Sequence, residues 1–295
     1  MNKLSVISPA YAARLIFRTR RGLRTLDAHL LAAAGLVSAV VQFLGQMFFS
    51  KAFPAPVAVT VLTLFGCFAW AVSQTYPRSR IEREFSRPDT TVRIQVGDLF
   101  EQDTHLVVGF TDTFDTSVTN DRIISSAALQ GQLLHRRYGD DQRRLDRELA
   151  AALRRIRPVM TEPPGSKAGK RTRYPIGTIA VVGTPGQHIF ATAYSRLGND
   201  LVPRSSVDDI WVSLNRLWAA VYERAERRPL SLPIIGSGLA RIDELDRESL
   251  LKLILISFLA RSREMPICRE LRVIIHPDDL HSVDLLEVRA FLRAL

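Results

Sequence analysis

Cysteine is almost absent from this 295-residue chain. Two thiols, Cys67 inside an apolar run and Cys268 just before an apolar strand, cannot build a disulfide framework. A disulfide-stapled secreted scaffold is therefore excluded, and a reducing compartment fits the larger part of the sequence. The six histidines are scattered and none stands at zinc-ligand spacing from a cysteine, so neither a metal centre nor a resident cofactor is expected. Formal charge is missing over a long stretch: from His29 to Phe49 the chain reads HLLAAAGLVSAVVQFLGQMFF, without one acid, lysine or arginine.

At about 1.5 Å per helical residue, that run reaches across about 30 Å of hydrocarbon. A second uncharged run, PVAVTVLTLFGCFAWAVS from Pro56 to Ser73, follows the short SKAFPAP connection. Residues 29–73 thus read as a transmembrane hairpin with spans at 29–49 and 56–73, and the lipid bilayer is an expected partner. The apolar region of a secretory signal peptide covers only about 7–15 residues, with no second span behind it. Buried core helices of a soluble domain would carry polar faces at helical spacing, and neither run does. Gly35, Ser38, Gln42, Gly45 and Gln46 line one side of the first span. Small and amide side chains there allow close helix approach and hydrogen bonds in lipid, either against the second span through Thr60, Thr63 and Gly66 or between copies of the protein.

A formal charge of +10 raises the question of nucleic acid, and its location answers it. Eleven of the 40 basic residues but only three of the 30 acids lie in residues 1–88, a surplus of eight, whereas the rest of the chain has a surplus of two. The excess flanks the spans, where basic residues set topology and meet anionic headgroups. With no nucleic-acid recognition element either, nucleic acid is not an expected partner. Residues 1–28 read as a basic cytoplasmic N-terminus and 74–88 as a basic juxtamembrane linker, with both chain ends cytoplasmic.

Residues 89–295 change character to strands alternating with helices. Strands are expected at 92–96, 105–110, 178–183, 188–195, 230–235 and 271–276, all rich in β-branched and apolar residues. Helices are expected at about 122–137, 140–157, 206–228, 244–264 and 278–293, with Asp243 and Asp278 at N-cap positions. Such interleaving predicts a central sheet covered on both faces. The segment RPVMTEPPGSKAGKRTRY, 157–174, reads as a solvated surface loop, with membrane or phosphate contact by Lys167, Lys170, Arg171 and Arg173 as the alternative.

The most suggestive local sequence is Pro233-Ile234-Ile235-Gly236-Ser237-Gly238-Leu239-Ala240, a buried strand stopping at two glycines before a helix. Glycines let successive N–H groups converge on an anion, here beside a helix N-terminus. The spacing matches neither the Walker loop nor the dinucleotide fingerprint. Asp98, in the Val96-Gly97-Asp98-Leu99-Phe100 run, could accept a hydrogen bond from an adenine amino group or simply cap a turn. Arg241 could contact phosphate or form a surface salt bridge.

Taken in order, the Gly97-Asp98 pair, the second strand with its loop Gly109-Phe110-Thr111-Asp112-Thr113, and the late P-I-I-G-S-G-L-A run resemble the macro domain, an α/β/α sandwich that binds ADP-ribose. The resemblance spans about residues 90–295. It implies an α/β protein in which the transmembrane hairpin precedes a three-layer α/β/α macro-like domain with a mixed central sheet. It also implies that Asp98 recognises adenine, that the main chain of Gly236, Ser237, Gly238, Leu239 and Ala240 holds a diphosphate, and that Thr111, Asp112 and Arg241 line the site. The asparagine-bearing loop of many ADP-ribosyl hydrolases and its following glycine-rich segment are missing, as is an aromatic where Ala240-Arg241 stand. Binding rather than hydrolysis is therefore expected, with no catalytic residue assigned; no Ser/His/Asp or Cys/His set can be assembled by spacing.

The whole arrangement is similar to the membrane-anchored macro effectors of bacterial Thoeris anti-phage defence, in which a TIR-domain enzyme makes a nucleotide signal from NAD and the macro domain senses it. That similarity implies a homo-oligomeric receptor-effector of the bacterial inner membrane with a cytoplasmic macro domain. Its ligand would be an ADP-ribose derivative, and clustering would disrupt the membrane. A membrane-bound ADP-ribosyl hydrolase and an ADP-ribose-binding scaffold without effector activity remain open alternatives.

Overall fold

A computed structural model describes residues 7–48, 56–238 and 245–295. These form two compact units: the residues through Ser79 together with Asp284–Leu295, and Arg80–Val283.

In the first unit, α1 (Pro9–Arg18) starts with proline at its first position, and the Ser8 hydroxyl accepts the Tyr11 N–H at 3.2 Å. It is followed by α2 (Arg20–Phe48) and α3 (Pro56–Thr75). The corner between α1 and α2 requires glycine at 22, where a Cβ would stand 1.9 Å from the Leu15 carbonyl oxygen. Ile16, Leu26 and Ala71 pack together with Leu30 and Val72, and His29 Nδ1 lies 3.1 Å from Thr75 Oγ1, so early α2 meets late α3 and the two helices run antiparallel. Away from this end apolar side chains point outward: Leu31, Leu36, Phe43, Val57, Leu62 and Phe65 are 66–75% exposed. Arg20–Phe43 and Val57–Thr75 are long and apolar enough to cross a bilayer. The first begins earlier than the expected His29 because residues 20–28 continue the same helix. Gly35, Ser38 and Gln42 are exposed, and a Cβ at Gly35 or Gly66 would meet nothing within 4 Å. The side chains of Gly45 and Gln46 lie outside the description, so both expected uses of the stripe stand. The last helix, α8 (Leu285–Ala294), packs on α2, and Glu287 pairs with Arg21.

In the second unit, β1 (Arg80–Ser86) and β2 (Asp89–Val96) pair antiparallel, and β3 (His105–Thr111) leads through a long loop to α4 (Leu129–Tyr138) and α5 (Gln142–Leu153). Two-residue strands β4 (Met160–Thr161) and β5 (Thr172–Arg173) pair with each other. Then come β6 (Ile179–Thr184), β7 (Gln187–Leu197), β8 (Pro203–Arg204), α6 (Val207–Arg224), β9 (Leu230–Pro233), α7 (Arg247–Glu264) and β10 (Glu270–Ile275). The sheet order is β1-β2-β10-β9-β3-β7-β6, with β8 on the end of β7. Its five inner strands are parallel, while β1 and β6 run antiparallel at the edges, giving the expected mixed sheet. Central β3 is buried along nearly its whole length, as a strand covered on both faces must be. Leu133, Leu134, Leu145, Leu149 and Leu153 of α4 and α5 cover one face over Leu106, Val108, Phe110, Ala191 and Ala193. On the other, α6 packs on β7 and on α7, where the Trp218 and Phe258 rings meet edge to face at 5.3 Å.

Several expected boundaries move. The compact unit runs from Arg80 to Val283 rather than 89–295, because β1 lies in the segment read as linker and α8 joins the helical hairpin. Strand β1 fully buries only Ile81; Phe85 is half-buried on the same face with Arg83 between them, and Glu82 pairs with Arg93 across the edge at 3.1 Å, so the hydrophobic alternation is too short and too interrupted to mark it. The helix expected at 122–137 starts only at Leu129. Asp278 lies in a 3₁₀ turn, Pro277–Ser282, and the cap of the last helix is Asp284, which accepts the Leu286 and Glu287 N–H groups. Asp246 caps α7; Asp243 lies outside the described residues.

At the other end of the sheet, buried His105 accepts the His188 N–H at Nδ1 (2.9 Å), and the two rings stack 5.1 Å apart. Burial, and then the charge of His188, hold the His105 pKa below its ordinary 6.5. With the folded pKa below the unfolded one, the unfolded chain takes the proton first, so stability is full above 6.5 and declines as pH falls from there toward the folded value. Thermal unfolding of the full chain in neutral detergent is expected to show a midpoint falling from pH 7 to 5.5, a slope that His105→Gln flattens. An identical slope in the variant would remove His105 as the cause.

Candidate functional site

Because β2, β10, β9, β3 and β7 are parallel, their C-terminal ends open along one edge of the sheet, where ligands of open α/β folds bind. Three sequence-expected segments leave that edge: Gly97-Asp98 after β2, Thr111-Asp112 closing β3, and the 234–238 turn after β9.

Asp98 caps a 3₁₀ turn, Leu99–Glu101, with Oδ1 accepting the Phe100 N–H at 2.7 Å. Its Oδ2 faces Arg136 of α4, whose guanidinium lies over the Phe100 ring at 5.4 Å. The carboxylate is thus oriented and already has a cationic neighbour. A carboxylate offers about four lone-pair sites, so two contacts leave acceptor capacity unused.

In the turn after β9, Ile234, Ile235 and Gly236 are buried, and Gly236 has φ +88°, a conformation that glycine alone adopts without strain. Ser237 folds back on Ile234, its N–H (3.3 Å) and Oγ (2.7 Å) both donating to the Ile234 carbonyl, so this N–H is already engaged. Gly238 is exposed, and a Cβ there would meet no atom of the described residues within 4 Å. The Ser237 carbonyl accepts Arg247 Nη2 at 3.2 Å, and Arg247 also binds Asp279 (2.8 Å) and Ser282 Oγ (3.0 Å). Leu239, Ala240 and Arg241 lie outside the described residues.

Thr111 and Asp112 are buried. Thr111 Oγ1 lies 3.2 Å from Thr113 Oγ1, and the Asp112 carboxylate takes the Leu197 N–H at 2.9 Å and Arg173 Nη1 at 2.8 Å. Asp112 therefore ties the ends of β3, β7 and β5 together, and its described contacts are internal. The expected solvated loop holds for 157–166, exposed apart from Glu162, but not for Lys167, which has no exposed side-chain surface and whose ammonium donates to Asp115 Oδ2 (2.8 Å) and to the carbonyls of Ala168 (2.9 Å) and Lys170 (2.8 Å). Asp115 also accepts Thr113 Oγ1 and the Lys170 N–H, at 2.7 and 2.6 Å. Arg173 binds Glu162 at 2.6 Å and holds its carboxyl below the usual range.

Sequence reasoning missed Arg136, Asp115, Arg247 and Tyr194. The Tyr194 ring covers Gly109, where a Cβ would stand 2.5 Å from Cε1, and burial pushes its phenol up to about 12. A glycine inside an otherwise apolar strand was the signal that another group approaches closely. Burial likewise raises the Cys268 thiol, as expected of an inert one. Among the described residues no group of His, Cys, Asp and Glu could hold a metal ion.

The mixed sheet with helices on both faces defines a macrodomain-like α/β protein. The family described as Thoeris protein ThsA, macro domain, matches residues 92–276, and the chain belongs to that family. Similar solved structures include an Oceanobacillus iheyensis macrodomain mutant, 13% identical over 72% of this chain and 99% of that one with a TM-score of 0.49. The same macrodomain with ADP is 11% identical over 73% and 99%, TM-score 0.42. A further mutant of it with ADPR is 12% identical over 72% and 98%, TM-score 0.46. No curated protein sequence matches.

Proposed function

We propose that the chain is a membrane-anchored receptor-effector of anti-phage defence. It binds an ADP-ribose derivative made from NAD by a TIR-domain enzyme, then clusters in the bacterial inner membrane and disrupts it, with both termini and the macro domain in the cytoplasm. The observation that carries this reading is the open Gly238 turn at the C-terminal edge of the parallel strands in a member of the ThsA macro family. The exposed apolar faces of α2 and α3 support the membrane part, since a surface of that size requires an apolar surrounding.

Ligand binding must favour the clustered state by a differential free energy, so the pocket needs a connection to the helices. Arg247 supplies one. It joins Ser237 of the turn to Asp279 and Ser282, and the chain passes from Val283 directly into α8 of the hairpin unit. The site thereby reaches the anchor through its second covalent tether.

The test is dye leakage from liposomes carrying the full chain, with ADP-ribose-type NAD products added, alongside chromatography of the nucleotide. Leakage with intact nucleotide supports the receptor, and Arg247→Met is expected to bind ligand within about tenfold of the parent while leaking far less. Turnover of ADP-ribosylated substrate without leakage would replace the receptor by a hydrolase. Binding without either would leave a scaffold.

A further inference from the structure

We propose that Arg78, Arg289 and Arg293 form a headgroup site for an anionic phospholipid at the end of the hairpin where α2 begins and α3 ends; the proposal rests on the membrane-spanning reading above. Helix α8 belongs to the hairpin unit, packed on α2, with Glu287 engaging Arg21 in the second residue of that helix. Arg78 follows Thr75, the last residue of α3, by three positions, and Thr75 lies beside His29 in the first third of α2 (3.1 Å), so the chain leaves α3 in the half of the hairpin where α2 begins. Arg289 and Arg293 are four residues apart on α8 and so lie on one face.

The acids of α8 are engaged elsewhere. Glu287 goes to Arg21, and Asp284 accepts two backbone N–H groups at the helix start. Among the described residues no carboxylate pairs with Arg78, Arg289 or Arg293, yet Arg289 is half-buried. Burial first, then repulsion from Arg293 and Arg78, pushes its guanidinium below the ordinary range. A partly desolvated cation beside two like charges is unfavourable until an anion joins it. A phosphodiester supplies that charge, and its oxygens match the guanidinium fork. At the end of two apolar helices, the phosphates present at high local concentration are those of the headgroup layer.

The test uses the full chain. Carbonate extraction of membranes first asks whether the chain is integral. In neutral detergent, dioleoylphosphatidylglycerol is then expected to raise the unfolding midpoint by several degrees more than dioleoylphosphatidylcholine. R289Q/R293Q should abolish the difference, whereas R143Q/R147Q, an equally spaced exposed pair on α5, should keep it. R78Q, outside any helix, serves should the double variant fail to fold, and is expected to reduce the difference. Equal shifts by the two lipids, a full response in R289Q/R293Q, or reproduction of the shift by glycerol 3-phosphate would overturn the site. ADP-ribose affinity should not change in any variant, so loss of the lipid effect alone sinks this proposal and leaves the nucleotide reading intact. Release of the chain by carbonate would sink the spans and the headgroup site together.

Discussion

Gly238→Arg is expected to abolish ADP-ribose binding, by about 100-fold or more, while the protein remains folded. A hundredfold loss corresponds to about 2.7 kcal/mol. Two glycines of the turn differ in what a side chain would do. A Cβ at Gly238 meets no described atom within 4 Å, so a side chain can start from this position without displacing the described backbone. Gly236, two residues earlier, is buried at φ +88°, and any side chain there strains the turn itself. Gly238→Ala should therefore bind within a few-fold of the parent, Gly238→Arg should fold and not bind, and Gly236→Arg should be destabilised. Because arginine brings positive charge toward a diphosphate, loss of binding would report blockage of space rather than electrostatic mismatch. Calorimetry on the detergent-solubilised full chain decides the matter: unchanged affinity in a folded Gly238→Arg protein would remove the turn from the ligand site.

What the sequence made legible follows from how local each signal was. The apolar runs, the six main strands and the glycine turn are written in contiguous residues, and the structure places them close to where periodicity and composition put them. Strand β1 was missed because an edge strand needs only one buried side chain, Ile81, and its remaining register comes from pairing with β2. Helix α8 was correctly read as a helix, but nothing in its own pattern says that its apolar face turns to α2 rather than to the sheet. The site divides in the same way. Gly236, Ser237, Gly238 and Asp98 stand next to strand ends and could be read in place. Arg136, Arg247 and Asp115 reach their partners across 38, 10 and 52 residues, and sequence spacing carries no record of such pairings. Asp112 looked like a site residue because it follows a strand, yet the structure binds it to Arg173 over 61 residues.

Lys167→Met is expected to destabilise the domain by about 3–5 kcal/mol, an effect that a solvated loop lysine could not produce. The ammonium is fully enclosed and its three donors all have oxygen partners, one of them the 2% exposed Asp115 carboxylate. Removing the cation leaves Asp115 buried without its counter-charge, and the remaining donors, Thr113 Oγ1 and the Lys170 N–H, do not neutralise it. The same contacts hold residues 167–170 against the loop that follows β3, so hydrogen exchange across 162–174 should rise in the variant. A double-mutant cycle identifies the cause: Asp115→Asn keeps an acceptor for Lys170 but carries no charge, so Lys167→Met with Asp115→Asn should be markedly less destabilised than the sum of the single changes. Denaturant unfolding of the full chain measures each corner. If Lys167→Met costs less than about 1 kcal/mol, or if the two changes simply add, the pair is not what secures this segment against the loop after β3, and Asp112 with Arg173 must hold it alone.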